Sequence, residues 1–226
     1  NANPAAMNEP DERVIELAGL FGRLGRRLSA MRETDKVYHA LTSIAVTEVP
    51  GAEFAGITQG RKGVFRTIAP SDELVGKVDQ IQYELRSGPC VDAALDDSVY
   101  ETPDLRADGR WPEFGRRAFE STGVISMLSF RMFFEDDADL VAAINMYSTK
   151  RAAFEDASRS AGLLLSTHGA LALAAAEAHD KAENLLQALS TSREIGIAMG
   201  VLMARHKITR DQAFDLLRIA SQHTHR

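Results

Sequence analysis

The sequence predicts an α+β fold followed by an all-helical C-terminal module, and three observations point to it. Apolar residues repeat with a helical period near both ends of the chain. Between those ends the pattern changes to short apolar runs separated by turn residues. The charge is also uneven: net −6 over 226 residues, but +3 within Ser190–Arg226, which leaves −9 for the rest. An acidic body with a basic tail is a composition found in nucleic-acid-binding chains.

The elements follow in order. Asn1–Pro10, rich in Asn, Ala and Pro, reads as a disordered leader; it lacks the basic and apolar regions of a signal peptide. Asp11 is a candidate N-cap for a helix reaching Arg32. Val14, Leu17, Phe21, Leu24, Leu28 and Met31 form a heptad seam along it. Gly19, Gly22 and Gly25 weaken this helix by about 1 kcal/mol each relative to Ala, so it needs a packing partner. A second helix spans Thr34–Glu48, with Val37, Leu41, Ile44 and Ala45 on one face. Pro50-Gly51 stops it.

Phe54–Thr58 and Val64–Ala69 flank Gln59-Gly-Arg-Lys-Gly63 as a hairpin. Ser71–Gln80 reads as a short helix, Val91–Leu95 as another after the turn Arg86-Ser-Gly-Pro-Cys90, and Val99–Thr102 as a strand. Pro112 suits the first turn of a helix over Trp111–Ser121. Ser126–Phe134 and Leu140–Tyr147 form a second hairpin around the acidic turn Glu135–Asp139. That turn lacks the ligand spacing of a calcium loop.

From Phe154 to Ser190 the period is helical without proline. Ala161, Leu165, His168, Ala172, Ala175, His179, Ala182, Leu186 and Leu189 advance by alternating steps of four and three. This seam and the one near the N-terminus predict a parallel homodimer held by helices. His168 and His179 are three turns apart, so they cannot share a metal within one chain, although each could meet its own copy in a dimer.

The single cysteine, Cys90, excludes an internal disulfide and a multi-thiolate metal site, and fits a reducing cytoplasm. It reads as a small core residue or as a redox thiol. No run approaches the roughly 18 apolar residues that span a bilayer. No nucleophile–base pair, phosphate loop or metal-ligand cluster is visible. The expectation is a non-catalytic protein without cofactor or metal.

Two resemblances add to this reading. Ser87-Gly-Pro-Cys-Val-Asp-Ala-Ala94, Arg110-Trp-Pro-Glu-Phe114, Gly123-Val-Ile-Ser126 and Ile144-Asn-Met-Tyr-Ser148 followed by Phe154 resemble, in this order, the actinobacterial GAF domains that precede ANTAR modules. The likeness covers about Lys36–Ala176. It implies a six-stranded antiparallel sheet with helices on one face and a ligand pocket on the other. Phe54, Phe65, Tyr83, Cys90, Trp111 and Phe130 are candidate lining residues or, equally, core.

Ser192-Arg-Glu-Ile-Gly-Ile-Ala-Met-Gly-Val-Leu-Met203, Arg205 and Ile208-Thr-Arg-Asp-Gln-Ala-Phe-Asp-Leu-Leu-Arg-Ile-Ala-Ser221 resemble the first two helices of the ANTAR domain of transcription antitermination regulators. Ile195, Ala198, Leu202 and Met203 form one helix face, with Ala198 and Gly200 small enough for close approach. Ala213, Phe214, Leu217 and Ala220 form the other. Thr209 and Gln212 have capping-box spacing. Met199 departs from the family, which often has Lys or Gln there, and the family's third helix is missing before Arg226. The resemblance implies RNA contact by Arg193, Arg205, Lys207, Arg210, Arg218 and Ser221. His223 and His225 close the chain.

The resulting domain plan is 1–10 leader, 11–33 amphipathic helix, 34–176 GAF sensor, 177–191 coiled-coil-like linker and 192–226 partial ANTAR domain. The expected function is a cytoplasmic antitermination regulator. Its GAF domain would answer a small molecule or a signalling partner and control an ANTAR module that binds hairpin loops in nascent mRNA. The alternatives are a ligand-binding or dimerisation module without RNA binding, and a DNA-binding helix-turn-helix regulator.

Overall fold

The structure is a computed structural model describing residues 12–95, 99–133 and 140–224. The leader Asn1–Pro10, the Asp11 cap, the acidic turn Glu135–Asp139 and His225 lie outside these, as do the side chains of Val14 and His223. The chain divides into two compact units, Asn1–Glu177 and Ala178–Arg226.

The first unit holds α1 (Glu12–Ser29), α2 (Thr34–Glu48), β1 (Phe54–Arg61), β2 (Val64–Ile68), α3 (Glu73–Leu85), α4 (Pro89–Leu95), β3 (Val99–Thr102), α5 (Pro112–Thr122), β4 (Ser126–Met132), β5 (Leu140–Ser148) and the start of α6 (Asp156–His206). The strands form one antiparallel sheet in the order β2-β1-β5-β4-β3. Five strands are present among the described residues, not the six implied by the resemblance. The β1–β2 turn is set by Lys62 (φ 52°) and Gly63 (φ 78°), since two consecutive left-handed residues match the twist of a two-residue hairpin.

Strand alternation sorts the sheet into two faces. Ala55, Ile57, Leu128, Phe130, Met132, Ala142, Ile144 and Met146 pack with α1, α2 and α6. Met127 and Tyr147 pack with Val75 and Val78 of α3, Cys90 of α4 and Phe114 and Ala118 of α5. Helices therefore cover both faces, which corrects the expectation of helices on one face and an open pocket on the other. Apolar residues at positions 75, 78 and 81 of α3 and 114 and 118 of α5 require this second layer.

The helix seams also differ from the sequence reading. Among the described side chains of α1 the buried ones are Leu20, Leu24 and Leu28, while Phe21 is exposed. Three leucines spaced by four form a stripe that spends itself inside the unit, packed on the same core as α2. Phe21 instead meets the His168 ring edge-on, with centroids 4.4 Å apart. On α6 the buried stripe is Ser158, Gly162, Leu165, Gly169, Leu173 and Ala176. It advances by the 3.6-residue period of a straight helix. The heptad frame drifts off that stripe after Leu165 and lands on the less buried His168, Ala172 and Ala175.

Helix α6 contains an 18-residue window of mean hydropathy 1.3, long and apolar enough to cross a membrane by length and composition, with 44% of the window buried in the protein. The count of uninterrupted apolar residues missed it, because scattered polar residues break the run without lowering the average far.

Candidate functional site

In the second unit, α6 ends at His206 and α7 (Arg210–Thr224) begins after three residues. Lys207 takes the left-handed conformation (φ 55°), and its N–H closes the last turn on Met203 O at 2.9 Å. The expected capping box is present. Thr209 N donates to Gln212 Oε1 at 3.0 Å, and Gln212 N donates to Thr209 Oγ1 at 3.4 Å.

Met199 and Ala213 are the buried apolar contacts of this helix pair. Met199 thus corrects the sequence reading: the position that breaks the family pattern is turned toward α7 and lines a groove with Gly196 and Phe214. Gly200 faces open space, so it is not what permits close approach. Phe214 stays half exposed, and Ile195 and Leu217 share a second groove with it, of about 540 Å³.

All six expected RNA contacts are exposed. The structure does not bring them to one face. Arg210 edges one interhelical groove; Arg218 and Ser221 edge the other, beside Phe214. Arg193 and Arg205 each stand six residues from Met199, so they project about 120° to either side of the packed face. Lys207 lies in the turn. Arg218 pairs with Asp215 at 3.1 Å, whereas Arg193, Arg205, Lys207 and Arg210 have no acidic partner among the described residues.

In the first unit, a buried polar cluster sits between the sheet and α3/α4. Asp79 and Gln82 of α3 fall on the same stripe as Val75 and Val78 and are fully buried. The Asp79 carboxylate accepts from Tyr147 Oη, from Thr67 Oγ1 at 2.7 Å and from Gln82 Nε2 at 3.4 Å. Tyr83 Oη is 3.0 Å from Thr67 Oγ1 and 3.2 Å from Thr58 Oγ1, which accepts from Asn145 Nδ2 at 2.9 Å. Asn145 Oδ1 is buried without a partner among the described residues. Burial pushes Asp79 up to about 6, against the pull of its hydrogen bonds. Sequence reasoning missed this cluster. Its signal was a carboxylate and an amide inside an otherwise apolar helix stripe.

The six candidate pocket residues do not form one lining. Tyr83 belongs to the polar cluster and stacks on Phe65, with centroids 5.9 Å apart. Cys90 and Trp111 are buried in the α3–α5 layer, and Phe54 packs against it. Phe130 lies on the opposite face, against Gly162 of α6. A groove of about 900 Å³ opens elsewhere, between α1 and the start of α6, lined by Leu17, Leu20, Phe154 and Arg159 among others. The redox reading of Cys90 loses its basis. The thiol is buried, and burial with the neighbouring Asp79 charge pushes it well above its ordinary value.

The motifs acquire structural roles. In Ser87-Gly-Pro-Cys90, Gly88 (φ 144°) lets the Gln82 amide reach the Cys90 backbone. In Arg110-Trp-Pro, Trp111 Nε1 donates to Asp92 Oδ2 at 2.7 Å, tying α5 to α4, while Arg110 stacks over the Trp111 ring. Beside Tyr147-Ser148, the Glu53 carboxylate accepts from Thr149 N at 2.6 Å, Thr149 Oγ1 and Ser148 Oγ.

Comparison with known proteins agrees with both halves. Residues 183–226 match the ANTAR domain. Among solved structures the chain is similar to the GAF domain of a phosphoenolpyruvate-protein phosphotransferase from Coxiella burnetii (11% identity, 77% of this chain and 99% of that one, TM-score 0.56). It is also similar to the phycoerythrobilin-bound GAF domain of a cyanobacterial phytochrome (15% identity, 71% and 95%, TM-score 0.52). A third likeness is to the photosensory core module of a Stigmatella aurantiaca phytochrome (14% identity, 93% and 45%, TM-score 0.57). No curated protein sequence matches. The class is thus an α+β domain of GAF fold followed by a helical module. A domain of GAF fold thus precedes a stretch that matches the ANTAR domain, and that match begins at position 183, nine residues before the start expected from sequence.

Proposed function

We propose that this chain is a signal-responsive, RNA-binding antitermination regulator that acts by binding rather than catalysis. Its ANTAR module would engage hairpin loops in nascent mRNA in the cytoplasm, under the control of the GAF-fold unit. The carrying observation is the ANTAR match over 183–226, on a helix pair whose Arg193, Arg205, Lys207 and Arg210 are exposed without acidic partners among the described residues. Cations in that state are available to phosphates. The test is a gel shift with a tandem-hairpin leader RNA against duplex DNA. Preference for the hairpins is expected; preference for the duplex would favour a helix-turn-helix regulator instead. Unchanged RNA affinity in the double variant Arg193→Ala/Arg218→Ala would remove these two residues as RNA contacts, and no binding of either nucleic acid by the parent would leave a ligand-binding or dimerisation module.

The proposed regulator is a homodimer. Every residue of Lys181–Ser190 is exposed, Leu185, Leu186 and Leu189 among them. Three leucines within two helical turns are a surface that a second helix would cover. Light scattering after gel filtration should give twice the chain mass, and Leu186→Glu should reduce it to one.

A further inference from the structure

The α3-facing side of the sheet carries a titratable group that RNA binding does not use. Asp79 is fully buried. Its partners are three hydroxyls, an amide and a thiol: Tyr147 of β5, Thr67 of β2, Tyr83 and Gln82 of α3, and Cys90 of α4. No Lys, Arg or His is among them. A carboxylate removed from water without a cation is costly to keep ionised.

The surrounding groups are arranged around that charge. Tyr147, Tyr83 and Cys90 are the titratable groups facing it; burial and the Asp79 charge push all three up, so they stay protonated. The other strands present Thr58 and Ser129, and α5 presents Phe114 and Ala118. Arg131 of β4 donates to Leu95 O at the end of α4, and the Arg117–Glu84 pair between α5 and α3 is at the surface. Asp79 is therefore the group of this cluster whose charge changes near neutral pH.

The hydrogen bonds also show what a proton would do. Asn145, Thr58, Tyr83 and Thr67 form a chain that can donate in one direction, ending on Asp79 Oδ2. Such a chain polarises toward a charge. On the other oxygen, Tyr147 Oη donates to Oδ1 and lies 3.5 Å from Cys90 Sγ. When Oδ1 is protonated it donates to the Tyr147 oxygen, and the Tyr147 O–H turns to the Cys90 sulfur. One proton is taken up, and Asp79, Tyr147 and Cys90 each keep a partner.

We propose that Asp79 is a proton-responsive latch, whose protonation seats α3 and α4 more firmly on the sheet and whose ionisation loosens them. It is independent of the RNA reading. The folded-state value near 6 lies above the ordinary 3.8. The stabilisation is then full below about 3.8 and is lost as pH rises through 6.

The full chain should be melted between pH 5 and 7.5 beside Asp79→Asn, which mimics the neutral acid. The parent should lose thermal stability as pH rises, and the variant should not show that loss. Superimposable profiles would overturn the latch. Should the variant fail to fold, ¹³C titration of the Asp79 carboxyl in the parent decides. A midpoint near 6 supports the proposal, and one at or below the ordinary 3.8 sinks it.

Discussion

Gln82 of α3 holds the chain at Cys90: its Oε1 accepts from Cys90 N at 2.8 Å, and both residues are fully buried. Replacing Gln82 with Leu leaves that N–H unpaired in the interior, at a cost of about 1–3 kcal/mol. Gly88→Ala attacks the same contact from the other side, because a Cβ there would lie 2.3 Å from Gln82 Oε1 on a backbone at φ 144°. Both variants should lower the midpoint in urea, and a midpoint equal to the parent's would show that the contact contributes nothing.

Two helical glycines should respond in opposite directions. A Cβ at Gly162 would come within 2.3 Å of the buried Phe130 ring. Gly162→Ala is then an overpacking change that destabilises by about 1–3 kcal/mol. Gly200 meets nothing within 4 Å. Gly200→Ala should stabilise α6 by about 0.5–1 kcal/mol. Circular dichroism melts of the two variants check the pair.

Glu53 gives the fold an acid limit. The backbone N–H of Thr149, with smaller help from the Thr149 and Ser148 hydroxyls, holds its carboxyl at about 2, below the ordinary 4.5. A depressed value stabilises above 4.5 and is lost as pH falls toward 2. Glu53→Gln should be less stable than the parent at pH 6, and the two should converge as pH approaches 2. A constant difference across that range would contradict the assignment.

RNA affinity should depend on salt through the free cations. Each of Arg193→Ala, Arg205→Ala and Arg210→Ala that removes a phosphate contact should reduce the slope of log affinity against log salt by about 1. Arg193 and Arg205 project to opposite flanks, so a hairpin lying on one flank would spare one of them. Slopes measured by fluorescence anisotropy would tell which flank is used.

The helical hairpin was legible because its signals are local. Thr209 and Gln212 make their capping box between residues three apart, and only three residues separate α6 from α7. The turn of the first hairpin was legible for the same reason, and the structure narrows the expected Gln59–Gly63 to Lys62-Gly63. The polar cluster was not. In the sequence Asp79 is only a carboxylate within an apolar helix stripe, and its partners appear when the sheet brings Thr67 and Tyr147, the latter 68 positions away, onto it.

The sequence by itself determined the element order, the change from helical to strand period, the basic tail and the ANTAR likeness of its last residues. Period, capping and turn chemistry act over a few residues, so they are written in adjacent letters. Only the tertiary structure decided which face each strand presents, placing Phe130 under α6 and Tyr147 under α3. It also turned Met199 inward and spent the α1 leucines within one chain. Those outcomes depend on which distant surfaces meet and exclude water, a condition set by the whole packed unit.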